Sequence, residues 1–207
     1  MKKAIRAAGG AALSRRQWLA GVAAASALSA EAAPAAAAPP LTADGWRRIR
    51  RVVTSEDSSG RAVVLADGEP GNSFVFNGTR ITRLWESGTT PVTLPLMADA
   101  GAEAGNAYRD GFIGTSFYVA ELPGGARAPV IPMHKNATLD YMAILSGRLV
   151  LRIDDSDTRR DLELGPGDVI VQGGNLHTFI NRWAESALLL FVVVTGRRGT
   201  PANLAPA

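Results

Sequence analysis

From residue 46 onward, Val, Ile, Phe and Leu fall in short runs separated by Gly, Pro, Asp and Asn, and no helical period is sustained. The pattern predicts strands over 50–54 and 62–66, with the polar run 55–60 between them as a hairpin turn. Further strands are expected over 80–86 and 115–121, joined by a long loop over the Gly-, Ala- and Pro-rich segment 87–111. Downstream the spacing tightens. The segment 130–134 leads into 139–145, and Ser146-Gly147 turns the chain into 148–153, where Leu149, Leu151 and Ile153 alternate onto one face. Asp154-Asp155-Ser156-Asp157 is a polar turn, and 159–164, 168–172, 177–181 and 187–194 complete the series. Many short strands at this spacing predict an all-β sandwich or barrel. The Cys–Trp–Cys pattern of antibody-type sandwiches is absent, as are an internal repeat, a phosphate-binding loop, a dinucleotide fingerprint and a nucleophile elbow.

Composition changes this picture at one end of the chain. Residues 1–38 hold five basic residues and one acid, so the remaining chain carries 17 basic and 18 acidic residues despite a formal net charge of +3 overall. The positive charge therefore belongs to a leader, and nothing argues for nucleic-acid binding. Ser14-Arg15-Arg16-Gln17-Trp18-Leu19-Ala20 resembles a twin-arginine export signal. An Ala-rich, weakly apolar stretch follows it, then an Ala/Pro spacer with small residues suited to signal peptidase. The expected organisation is a signal peptide and spacer over 1–38, a linker over 39–45 and a barrel domain over 46–200 with its core at 112–195. The expected location is periplasmic or secreted, with no membrane association after cleavage. There is no cysteine, which excludes disulfides, thiolate metal sites and cysteine nucleophiles.

The chain has two histidines, His134 and His177. Imidazole is the commonest protein metal ligand and a ready acid/base group. On an unbroken strand His134, Asn136, Thr138 and Asp140 share a face, as do His177, Phe179 and Asn181 on a later strand. If both faces point inward, two imidazoles and a carboxylate converge. Two His and one carboxylate suit iron(II), and also manganese, zinc or nickel.

The stretch 129–194 resembles a small single-domain cupin. That family carries Gly-x5-His-x-His-x3,4-Glu-x6-Gly and Gly-x5-Pro-x-Gly-x2-His-x3-Asn on a jelly-roll barrel. Here the first motif reads His134, Asn136, Asp140, Gly147, and the second Gly167-Asp168, Gln172, Gly174, His177, Asn181. The resemblance implies a double-stranded β-helix, with the 46–66 strands as extra N-terminal elements of a homodimer. It also implies a divalent metal held by His134, Asp140 and His177. Asn136 and Asp140 stand where the family commonly has His and Glu, so two outcomes are open: a metal site completed by water, or a metal-free acid/base cluster. His134, Asp140 and His177 are the candidate catalytic residues. Asn136, Thr138, Gln172, Phe179 and Asn181 are the candidate substrate contacts. Three functions follow: a metal-dependent enzyme acting on a small organic molecule, a metal-free acid/base enzyme, and a non-catalytic small-ligand binder.

Overall fold

The computed structural model describes residues 41–89, 91–101, 113–154 and 159–197. The export signal, the spacer, the start of the linker, residues 102–111 of the long loop and residues 155–157 of the polar turn lie outside the described residues. Among the described residues there are eleven strands: β1 (Arg51–Glu56), β2 (Ala62–Gly68), β3 (Ser73–Phe76), β4 (Thr79–Ser87), β5 (Thr115–Leu122), β6 (Thr138–Ser146), β7 (Leu149–Asp154), β8 (Arg159–Leu164), β9 (Val169–Gln172), β10 (His177–Ile180) and β11 (Ala187–Thr195). The described residues otherwise hold one 3₁₀ turn, Gly125–Arg127, and no helix long and apolar enough to cross a membrane.

Two departures from the expected pattern bear on the site. The first is β3, which pairs with β4 across Asn77-Gly78, both at positive φ (46° and 74°). That dipeptide is the preferred turn of a two-residue hairpin, because Asn and Gly tolerate the left-handed conformation. The second is the segment before β6. An unbroken strand was expected to carry His134 to Asp140, but β6 begins only at Thr138. Pro129 and Pro132 have no N–H to give a ladder, and His134 alone forms a bridge, to His177.

The strands make a six-stranded sheet in the order β3-β4-β5-β11-β6-β9, a three-stranded sheet β10-β7-β8, and a separate β1-β2 hairpin. All pairs are antiparallel. Neighbours such as β5-β11-β6 and β10-β7 are distant in sequence, because the chain crosses repeatedly between two facing sheets. The fold is a double-stranded β-helix, a jelly roll.

Alternation fills the space between the sheets. Tyr118, Met142, Ile144, Leu189 and Phe191 point inward from the large sheet and meet Leu149, Leu151 and Phe179 from the small one. Leu188 and Leu190, of opposite parity on β11, face the outer side, where they join Leu84, Val119 and Ile49. Gly147 turns β6 into β7 at φ +72°, and a Cβ there would lie 2.4 Å from the Ser186 carbonyl oxygen, so this motif position needs glycine for its backbone.

Candidate functional site

One end of the barrel is brought together by an irregular segment and two strands. His134 and His177 exchange backbone hydrogen bonds, each N–H donating to the other's carbonyl at 2.9 Å. The Thr178 hydroxyl donates to the Ile131 carbonyl at 2.6 Å, fastening the segment that has no ladder of its own. Behind them, Gly174 lies so close to the Asn136 carbonyl oxygen that a Cβ would approach it to 2.5 Å. The glycine of the second motif thus seats its loop directly on the first motif.

The two imidazoles lie with centroids 4.3 Å apart and planes inclined by 54°. Each Nδ1 is 2.8–2.9 Å from a backbone carbonyl, of Pro132 for His134 and of Asn175 for His177. A carbonyl only accepts, so each Nδ1 carries the proton and each Nε2 is the basic nitrogen. His134 Nε2 makes no hydrogen bond to a described residue. The Gln172 amide nitrogen is 2.8 Å from both ring nitrogens of His177 and, with Nδ1 already a donor, gives its proton to Nε2.

Asp140 projects from β6 into the same cavity and is buried, and its Oδ1 has no hydrogen-bond partner. Burial pushes its carboxyl above the usual range. The nearby Thr138 hydroxyl, outside hydrogen-bonding geometry, and the His134 ring offset part of that rise. Burial, with the His134 ring beside it, pulls His177 the other way, below the ordinary histidine value, against the opposing pull of the Asn175 carbonyl. Both groups are therefore biased toward their neutral forms.

The cavity has a volume of about 320 Å³. Its apolar wall includes Ile81, Leu122, Ile131, Phe179 and the stacked pair Tyr118–Phe191, whose centroids are 4.9 Å apart. Its polar lining is Asn77, Thr79, His134, Asn136, Asp140 and His177, with no lysine or arginine among the described residues.

The structure thus gathers His134, Asn136, Asp140, His177 and Phe179 around one cavity. Three sequence candidates lie elsewhere. Thr138 opens β6 and is not part of the lining, because the chain bends before it. Gln172 stands behind His177 rather than in the cavity. Asn181 is consumed structurally: its amide donates to the Leu122 and Glu185 carbonyls at 3.1 and 2.8 Å, and its oxygen accepts from Trp183 N–H. Phe76, Asn77 and Thr79 were not anticipated. The Asn77-Gly78 turn was the available signal.

The residues present do not fit a resident metal ion. Among the described residues no group of three or more His, Asp or Glu side chains is placed to hold one. The His177 nitrogen that would ligate instead accepts from Gln172.

A charged Asp140 costs stability. Its proton is held in the folded chain at pH values where the unfolded chain, with a carboxyl near 3.8, has lost it, so stability falls as pH rises through that interval. Asp140→Asn is expected to stabilise by on the order of 1 kcal/mol at pH 7, or roughly 3 °C in Tm. The gain should shrink to about 0.2 kcal/mol at pH 3.5, where the unfolded carboxyl is mostly protonated too. Thermal melts of both proteins across pH 3.5–8 check this, and a destabilised variant at pH 7 would refute it.

No protein-family model matches the chain. It is similar to the cupin-domain-containing oxidoreductase fogC of Aspergillus ruber, 28% identical over 159 residues that cover 72% of this chain and 74% of that protein. Among solved structures it is similar to the cupin domain of Schizosaccharomyces pombe Cnp3, with a TM-score of 0.44, 14% identity, and 70% and 87% of the two chains covered. A second is the hydroxypropylphosphonic acid epoxidase of S. wedmorenis, with a TM-score of 0.32, 16% identity, and 38% and 42% covered. This protein is a jelly-roll β chain whose sequence, over most of its length, is similar to that of a cupin-domain oxidoreductase.

Proposed function

We propose that this chain is an enzyme that moves a proton on a compact, uncharged organic molecule held in the barrel cavity, with His134 as base and Asp140 as acid. The observation that carries the reading is the pairing of two groups in one apolar cavity. His134 has its Nδ1 proton tied to the Pro132 carbonyl, and the carboxyl of Asp140 is buried without a cation. A base with a free lone pair and a carboxyl biased toward its protonated form are the parts needed to take a proton and to donate a hydrogen bond to the developing oxyanion. His177, tilted against the His134 ring and bridged to it through the backbone, holds the wall and the neighbouring ring.

The lining argues for the substrate's charge. A carboxylate or phosphate ligand would find no lysine or arginine there among the described residues, while aromatic side chains cover much of the wall. Oxidation, suggested by the relative's description, would begin with the same proton abstraction and would need an electron acceptor in addition.

The test is hydrogen exchange in D₂O on a panel of neutral aryl ketones and lactones, followed by mass spectrometry. The full chain should label at least one of them, and His134→Gln should lower the rate by at least about 10²-fold. An undiminished rate in that variant would overturn the proposal. So would exchange that appears only on adding iron, manganese, zinc or nickel and disappears with a chelator.

The same reading includes a homodimer. Val169 and Val171 on the edge strand β9, and Tyr141 beside them on β6, are 77%, 68% and 45% exposed, an apolar strip on the outer face of the large sheet. Sedimentation should return a dimer mass for the wild type and a monomer mass for Val169→Asp/Val171→Asp. A monomeric wild type refutes it.

Export to the periplasm or medium is the last part, supported by Arg15-Arg16 and the residues around them. Residues 1–45 fused to a reporter that is exported folded should leave the cytoplasm, and Arg15→Lys/Arg16→Lys should retain it inside. Export of the double variant at the wild-type level would count against this route.

A further inference from the structure

A second cavity, of about 440 Å³, lies at the seam where the two sheets part between the edge strands β8 and β9. Its apolar wall includes Leu151, Ile153 and Leu162 from the small sheet and Ile170 from β9, with Asp154, Arg160 and Asn175 among its polar lining. It stands back to back with the first. In three cross-strand pairs, one member lines the first cavity and the other lines the second: His177 with Ile153, Phe179 with Leu151, and Asp140 with Gln172.

Gln172 is the polar member of the partition. It is 4% exposed, its amide nitrogen reaches the His177 ring at 2.8 Å, and its Oε1 is buried without a hydrogen-bond partner. An amide is an economical divider for this position. It satisfies the imidazole's basic nitrogen and fills the gap between the β9 backbone and the ring. The neighbouring partition residues, Leu151 and Ile153, are apolar and contact the core.

We propose that Gln172 sets the length limit of the substrate. Its side chain, beside Asp140 and behind the His177 ring, completes the partition between the His134–Asp140 cavity and the seam cavity, so that the ligands taken are compact neutral aryl compounds, and their long-chain homologues are refused. The proposal rests on the first cavity being the substrate site. In this role Gln172 is a specificity-determining residue that also positions His177.

The test uses binding rather than turnover. A series of 4-n-alkylphenols, from ethyl to octyl, is titrated calorimetrically into the full chain. The wild type should tighten with chain length and then lose affinity abruptly once the cavity is filled. In Gln172→Ala the break should move out by several methylenes, with about four-fold tighter binding for each added methylene within the newly joined space. Gln172→Leu, of similar bulk but without the amide, should keep the wild-type break. Leu162→Ala, which lies on β8 away from the partition and widens only the seam cavity, should keep it too.

Nitrogen NMR of the two imidazoles, assigned with His134→Gln, gives a readout independent of the ligand. The His177 Nε2 resonance should move toward that of an unbonded ring nitrogen in both Gln172→Ala and Gln172→Leu. Should the alanine variant be unfolded by circular dichroism, Gln172→Asn supplies the shortened side chain and a smaller shift of the break. An unchanged break in the shortened variant overturns the proposal, and so does a break that moves equally in Gln172→Leu. Wild-type binding with an unmoved limit sinks this inference alone. Binding of no alkylphenol by any variant sinks the cavity assignment beneath it as well.

Discussion

Two backbone hydrogen bonds, between His134 and His177 in both directions, hold the site in place. The segment that carries His134 has no other ladder, since its prolines interrupt donation and β6 starts only at Thr138. A single bridge would be weak if it stood alone, each bond contributing about 1 kcal/mol net. Here it is reinforced by the Thr178 hydroxyl on the Ile131 carbonyl and by the contact of Gly174 with the Asn136 carbonyl. The bridge also fixes chemistry. By setting the course of residues 132–134 it puts the Pro132 carbonyl against His134 Nδ1, which decides which ring nitrogen is basic.

Electrostatics follow from the cavity's composition. An apolar wall, with no fixed cation among the described residues, disfavours charge on the buried Asp140 and His177. Burial raises the acid Asp140 and lowers the base His177, so each environment pushes its group toward the neutral form. Protein stability alone would favour replacing Asp140 with an uncharged side chain. Keeping a carboxyl at that position makes sense where a donated proton is useful, which is the usual trade between stability and activity at a site.

Much of the barrel was legible because half-buried strands alternate. Leu149, Leu151 and Ile153 announce an inward face whatever they pack against, whereas the unbroken apolar run 187–194 announces a strand but not which of its faces points inward. The convergence of His134, Asp140 and His177 was legible from motif spacing. Parity failed in the gap between His134 and Thr138, since the two-residue period holds only where a ladder enforces it. Asn77-Gly78 was a readable hairpin signal with a physical cause, and it would have put Phe76 and Thr79 at the cavity. Tyr118 and Phe191 were not readable as lining, because an aromatic residue facing a cavity and one facing the core look the same in sequence. Asn181 and Gln172 share the parity or spacing of site residues, yet their amides are engaged by backbone carbonyls and by an imidazole.

The two departures from the family pattern make physical sense together. Where cupins commonly place a second histidine and a glutamate, this chain has Asn136 and Asp140. An amide oxygen is a weak ligand for a transition metal, and aspartate is one methylene shorter than glutamate. A carboxylate beside a divalent cation would be ionised and satisfied. Without a cation, the same burial makes ionisation expensive and leaves the proton as the group's natural partner. The Gln172 amide completes this arrangement by occupying the nitrogen of His177 that a metal would require. The residues that weaken the ligand set are thus the ones that leave a buried carboxyl, biased toward its protonated form, in the same cavity as His134, the pair on which the proposed proton transfer rests.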